Sequence, residues 1–248
     1  MRILAIDTAT DLMSVAYLDD TGRFLYSRDG GLRHAETLLP AILSLVAQAE
    51  AQKQTIAKKG ETESNTRLAP DFVVCTRGPG SFTGLRIGMA TAKGIAAGAG
   101  CPVVSIPSLE VYAWHARYFS GVVIPAVDAK KDRFYCRIVT ESEDPAPDLD
   151  IDAAAILRLL GGARRVLLTG PDAGALATAI RGSVGDDETM EFVLDLTCRS
   201  GYGDALLSLG LKRFQAGLLD SDEQGPVYVR ESDAALGLRI DRTSNGGD

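Results

Sequence analysis

"RGPGSFTGLRIGMATAKGIAAG" runs from Arg77 to Gly98, and its reading decides how the rest of the chain is understood. It opens as a glycine-rich loop and continues as a helix built largely of small residues. The exposed N–H groups of such a strand–loop–helix junction suit an anion. A small-residue helix instead suits the close approach of another backbone. The loop departs from both common phosphate-binding patterns. A Walker loop carries Lys after its last glycine, but Gly84 is followed by Leu85 and Arg86. The G-x-G-x-x-G spacing fails by one residue, because Thr83 stands before Gly84. Two readings remain open for the loop. Gly78, Gly80, Ser81 and Thr83, with Thr8 and Thr10 of the turn "AIDTAT", form an anion contact, or the loop is a tight turn capped by Ser81 or Thr83.

Around the helix, Leu85, Gly88, Met89, Ala92, Ile95, Ala96 and Ala99 share one side. Ile87, Ala90, Thr91, Gly94, Ala97 and Gly98 share the other, and only Arg86 and Lys93 make a charged stripe. A surface helix normally keeps a whole polar face. This one is expected to be covered on both sides, by a sheet on one and on the other by a helix of this chain or of a partner. A glycine inside a helix costs about 1 kcal/mol relative to alanine, and close packing is a reason to carry Gly84, Gly88 and Gly94.

The surrounding pattern is α/β. "DFVVCTR" before the loop and "PVVSI" after the helix read as parallel strands joined by a right-handed crossover. Upstream, "RILAID", "MSVAYL" and "RFLYSRD" form a meander, followed by the helix "HAETLLPAILSLVAQAEA". Its apolar face holds Leu38, Leu39, Ile42, Leu45, Val46 and Ala49, and Pro40 must lie near its first turn or kink it. The polar stretch 52–70 reads as a flexible surface linker. Downstream, "PSLEVYAWHARYF" is a helix, "VVIPAVDA" and "DRFYCRIV" are strands across "KKD", and "ESEDPAPDLD" is a loop. "IDAAAILRLL", "DAGALATAI" and "YGDALLSLGLKRFQAG" are helices, "RRVLLTG" a strand, and "GPVYVR" a last short strand or extended segment. Both halves open with a hairpin and then alternate, which implies two related lobes. Residues 1–105 form the first; residues 106–230 form the second, with late elements returning to the first. The tail 231–248 is expected to be partly disordered.

Composition narrows the function. A net charge of −7 makes the chain a poor general binder of nucleic acid, so a partner must supply most positive surface. No apolar run reaches the roughly 18 residues of a membrane span, and the N-terminus lacks a signal-peptide pattern. The expected location is the cytoplasm. Cys75, Cys101, Cys136 and Cys198 are scattered and read as buried reduced thiols; with only His34 and His115 they suggest no zinc site.

"MRILAIDTAT", "HAETLLP", "RGPGSFTGLRIGMATAKGIA", "VVSIPSLEVYA", "VDAKKDRFY" and "PVYVR" together resemble the TsaB (YeaZ) family of tRNA threonylcarbamoyladenosine biosynthesis subunits. The resemblance covers most of residues 1–140 and returns near 226–230. It implies an actin-like, two-lobed fold of the sugar-kinase and Hsp70 class, with mixed sheets flanked by helices. It implies a non-catalytic subunit, without cofactor, that pairs with the catalytic paralogue TsaD and, through the complex, with the ATPase TsaE. A homodimer when alone and contact with tRNA only through the complex belong to the same expectation. Family contacts run through helices of the first lobe, matched by His34–Ala51 and Thr83–Ala99. The expected interface residues are His34, Glu36, Leu39, Leu43, Arg86, Ile87, Ala90, Lys93 and Gly94.

The paralogue's chemistry has no counterpart here. Its H-x-x-x-H metal pair falls on Ser108 and Tyr112, and Ala9 stands where actin-like folds carry the glycine of D-x-G-x-T. The loop then reads as architecture and the helix as a docking surface. The rival is an ATPase or phosphotransferase using Asp7, Asp128 and the glycine-rich loop. A peptidase, an older proposal for the wider family, lacks any nucleophile paired with His34 or His115.

Overall fold

The computed structural model describes residues 1–31, 33–56, 68–140, 146–183 and 190–229. Strands β1 (Ile3–Asp7), β2 (Leu12–Leu18) and β3 (Arg23–Asp29) form the opening meander, followed by helix α1 (His34–Ile56). Strand β4 (Phe72–Thr76), helix α2 (Phe82–Ala99), strand β5 (Val103–Ile106) and helix α3 (Ser108–Ala113) complete the first half. The second half repeats the order: β6 (Val122–Asp128), β7 (Arg133–Cys136), β8 (Leu149–Asp152), α4 (Ala153–Leu160), β9 (Arg165–Thr169), α5 (Ala173–Ser183), β10 (Glu191–Leu194) and α6 (Gly203–Gln215). The first sheet runs β3-β2-β1-β4-β5 and the second β8-β7-β6-β9-β10, so the topology is duplicated. In each, the central strand is antiparallel to its hairpin partner and parallel to the strand beyond the helix. This doubled arrangement is the actin-like one, and Asp7 and Asp128 end the equivalent strands β1 and β6.

Both faces of the first sheet are covered, which explains why β1 and β4 read as continuous apolar runs. Leu4, Ile6, Val73 and Cys75 face α1 and α2. Ile3, Ala5, Phe72 and Val74 face the opposite way, against Leu206 and Leu209 of α6. Helix α6 therefore packs on the first sheet although it follows the last strand of the second. Gly210 lets it do so, since a Cβ there would run into Val74, and Phe214 stacks on Phe72 at 4.2 Å between centroids. Helix α3 in turn packs against β6.

Several sequence expectations change. Helix α1 runs to Ile56, not Ala51, so the start of the linker is helical; residues 57–67 of that linker lie outside the described residues, as does the tail 231–248. Pro40 lies in the second turn of α1, where its ring leaves the exposed Glu36 carbonyl to solvent. Leu39 is 51% exposed and not on the core face, which is made by Leu38, Ala41, Ile42, Leu45, Val46 and Ala49. The acidic loop ends in a strand, β8, because Leu149–Asp152 pairs with β7. Strand β10 has only four residues and was not anticipated. The helix expected over "PSLEVYAWHARYF" stops at Ala113 and continues as one 3-10 turn, Trp114–Ala116. Among the described residues no helix is long and apolar enough to cross a membrane.

Candidate functional site

The end of β1 is closed. Asp7 is fully buried, and its Oδ1 accepts from the Ala9 N–H at 3.0 Å and from Thr76 Oγ1 at 2.9 Å. Tyr112, also fully buried, donates its hydroxyl to Oδ2 at 3.1 Å. Burial pushes the Asp7 carboxyl above the usual carboxylate range, and these hydrogen bonds pull it part of the way back. Burial also drives the Tyr112 phenol well up. Tyr112 thus seals the aspartate. Ser108 is buried with its Oγ lacking any hydrogen-bond partner. Among the described residues no cluster of His, Cys, Asp or Glu could hold a metal ion.

The glycine-rich loop is filled by the chain itself. Ser81, not Thr83, caps α2, accepting from the Gly84 N–H at 3.2 Å. The Ser81 N–H donates to the Ala9 carbonyl at 2.6 Å, and Thr8 Oγ1 donates to the Gly84 carbonyl at 2.8 Å. A Cβ on Gly80, Gly84 or Gly88 would run into Ala9 O, Thr8 O or Thr8 Oγ1 respectively. One on Gly78 would strike the Val227 carbonyl. Thr10 Oγ1 accepts from the Leu12 N–H, and Thr83 is exposed. The small residues therefore let the β1–β2 turn lie on the start of α2, and the Ser81 and Gly84 N–H groups and the Thr8 hydroxyl are engaged within the chain.

The interface candidates divide. His34 is buried, with Nε2 donating to the Thr10 carbonyl at 2.6 Å, so it holds the turn and does not face outward. Arg86, which stays exposed, and half-buried Lys93 are each contacted from within the chain by the segment 218–229. Arg86 lies 3.8 Å over the Phe82 ring and donates to Tyr228 Oη at 3.2 Å, while Lys93 donates to the Asp222 carbonyl at 2.6 Å. The same segment protects the β5 edge, where the Asp220 N–H donates to Val103 O and Asp220 Oδ1 accepts from the Ser105 N–H. On α2, Leu85, Gly88, Met89, Ala92 and Ala96 face the sheet. Ala90, Gly94, Ala97 and Gly98 are exposed, and nothing lies within 4 Å of a Cβ on Gly94 or Gly98. With Glu36, Leu39 and Leu43 of α1 and half-buried Ile87, they leave an open face of small and apolar residues.

The crevice between the sheets is acidic and bridged. Arg199 donates to both carboxylate oxygens of Asp29, at 2.8 and 2.5 Å, to Asp11 at 3.3 Å and to the Pro171 carbonyl at 2.9 Å. Asp128 is held by Lys130 at 2.7 Å, and its N–H donates to Asp172 at 2.8 Å. Burial raises the Asp172 carboxyl. Asp7 lies buried behind these carboxylates. Sequence reasoning missed Arg199; it expected late elements to return to the first half, but not the contact of Tyr228 with Arg86. The Arg86–Tyr228 and Arg199–Asp11 contacts span 142 and 188 residues and leave no local pattern.

The family model described as "TsaD: tRNA N6-adenosine threonylcarbamoyltransferase" matches residues 31–162, more than half of the chain. The Bacillus subtilis "tRNA threonylcarbamoyladenosine biosynthesis protein TsaB" is 31% identical over 178 residues, covering 69% of this chain and 72% of the relative. The Escherichia coli protein of the same name is 34% identical over 138 residues, with 54% and 53% covered. The solved structure of YeaZ from Pseudomonas aeruginosa, 24% identical, superposes with a TM-score of 0.66 over 92% of this chain and 99% of that one, and shares the fold. From its sequence relatives, this chain belongs to the TsaB (YeaZ) family.

Proposed function

We propose that the chain acts in tRNA threonylcarbamoyladenosine biosynthesis as a non-catalytic subunit that binds and activates a TsaD-type catalytic paralogue. The observation that carries this reading is the open face of α1 and α2. Leu39 and Leu43 stand exposed beside a stripe in which Ala90, Gly94 and Ala97 bear little or no side chain. A helix from another chain can approach such a stripe closely, and two leucines supply apolar area to bury. The same face serves a homodimer when the partner is absent, while a TsaE-type ATPase and the tRNA join through the assembled complex in the cytoplasm. Sealing of Asp7 by Tyr112 supports the absence of chemistry in this chain, and it weighs against the rival ATPase reading.

The test is co-purification with the TsaD-type partner. Ala90→Arg should leave a folded chain that no longer retains the partner. Retention at the wild-type level would remove this face from the interface.

A further inference from the structure

Between α3 and β6 the chain carries a surface cluster anchored by Trp114, which packs its inner side on the core. The guanidinium of Arg117 lies over two aromatic rings, 4.3 Å from the Trp114 ring centroid and 4.4 Å from that of Tyr118. Arg117 Nη1 also donates to the Trp114 carbonyl at 2.7 Å, which fixes the stack. Tyr118 is 83% exposed, the most open aromatic side chain among the described residues. The next residue, Phe119, sits under the guanidinium of Arg165 at 5.2 Å, and Arg164 beside it is exposed. Glu191 offsets Arg165 at 3.0 Å. No carboxylate pairs with Arg117 or Arg164 among the described residues.

The geometry points to a stacking platform for unpaired bases of an RNA loop, built on Trp114, Arg117 and Tyr118 and bordered by Arg164 and Arg165. The outer plane of Tyr118 is free for a base, and the ordered guanidiniums stand where the adjoining phosphates pass. Cation–π contact pre-orders the ring, so little further side-chain freedom is lost on binding. In a chain of net charge −7 the positive charge is local, which limits affinity for the isolated chain and favours contact within an assembly. RNA as the occupant rests on the proposed role in tRNA modification.

Trp114 is the only tryptophan of the chain, so its emission reports the platform directly. The full chain is titrated at low salt with an anticodon stem–loop RNA and with a blunt RNA duplex of equal length. The stem–loop should quench Trp114 saturably and the duplex should not. Tyr118→Ala should weaken stem–loop binding about tenfold and Tyr118→Phe should preserve it. In the reconstituted assembly, Tyr118→Ala should raise KM for tRNA by a similar factor and leave partner retention unchanged. Wild-type titration by Tyr118→Ala, equal quenching by the duplex, or loss of the protein partner would each overturn the platform. Failure of the wild-type assembly to modify tRNA would count against the proposed function instead, because the titration of the isolated chain stands apart from it.

Discussion

The hydroxyl of Tyr112 lies 3.1 Å from Oδ2 of Asp7, and neither residue is exposed to solvent. An aspartate at the end of the first strand of an actin-like fold is placed to meet a ligand in the crevice. Here a tyrosine from α3, with Thr76 and the Ala9 amide, takes up its oxygens. The position becomes part of the core, and its physical consequences are those of a buried acid.

The first consequence is a dependence on pH. Asp7 is raised above its ordinary value of 3.8, with burial as the largest cause. A carboxyl raised in the folded state binds its proton more tightly there than in the unfolded chain. Its contribution is complete below the unfolded pKa and falls as pH rises through the folded one. Asp7→Asn keeps an acceptor for Ala9 and Thr76 and removes the charge. Stability of the variant relative to wild type should rise in urea titrations as pH increases above the ordinary carboxyl value of 3.8. A relative fall over that range would show that the hydrogen bonds outweigh burial.

The glycines of α2 separate into two kinds. Gly84→Ala and Gly88→Ala push a methyl group into Thr8 and should each cost about 1–3 kcal/mol. Gly94→Ala meets nothing within 4 Å and should stabilise the free chain by about 0.5–1 kcal/mol. If Gly94 is kept for the partner, the same substitution weakens the complex. Denaturant unfolding and partner binding measured on the three variants decide this; a destabilising Gly94→Ala would mean that the face is already covered.

The duplicated α/β order was legible because hairpins, β-rich runs and the small-residue helix leave local marks. The glycine-rich loop was legible as a close approach but not as to what approaches: Thr8 lies 76 residues from Gly84, and no spacing rule reports that pair. His34 looked like a surface residue at the start of a helix, and only the folded turn shows Thr10 above it. Arg86 and Lys93 read as a narrow charged stripe facing a partner, yet a segment more than 120 residues later in the same chain hydrogen-bonds to both. The wheel set Ala90 and Ala92 on opposite sides without saying which side meets the sheet, and the fold buries Ala92 and exposes Ala90.

That difference gives a paired test. Ala92 is fully buried against the sheet, and Ala92→Arg should unfold the protein, since an unpaired buried charge costs about 3–5 kcal/mol. Ala90 is exposed, and Ala90→Arg should change stability by less than about 0.5 kcal/mol. Circular dichroism melts and sedimentation read both. Unfolding by Ala90→Arg would contradict the orientation of the helix.

Arg199 ties Asp11 and Asp29 of the first half to the Pro171 carbonyl of the second. Arg199→Ala should leave the two sheets folded and loosen the crevice. Faster amide exchange at residues 200–202 and at Asp172 and Ala173 is the expected signature. Unchanged protection there would show that packing of α6 alone sets the closure. Arg199 also holds the Asp29 carboxyl below its usual range, so this pair weakens as the solution is acidified.

The most direct measurement is reconstitution of threonylcarbamoyladenosine on tRNA, with mass spectrometry of the nucleosides as readout. Wild-type chain and Asp7→Asn, both combined with the TsaD-type subunit, the ATPase and threonylcarbamoyl-adenylate, should yield the modified nucleoside at equal rates. Omission of the chain or use of Ala90→Arg should abolish it. Full modification without the chain, or loss of modification by a folded, partner-binding Asp7→Asn, would contradict a scaffold that does no chemistry of its own.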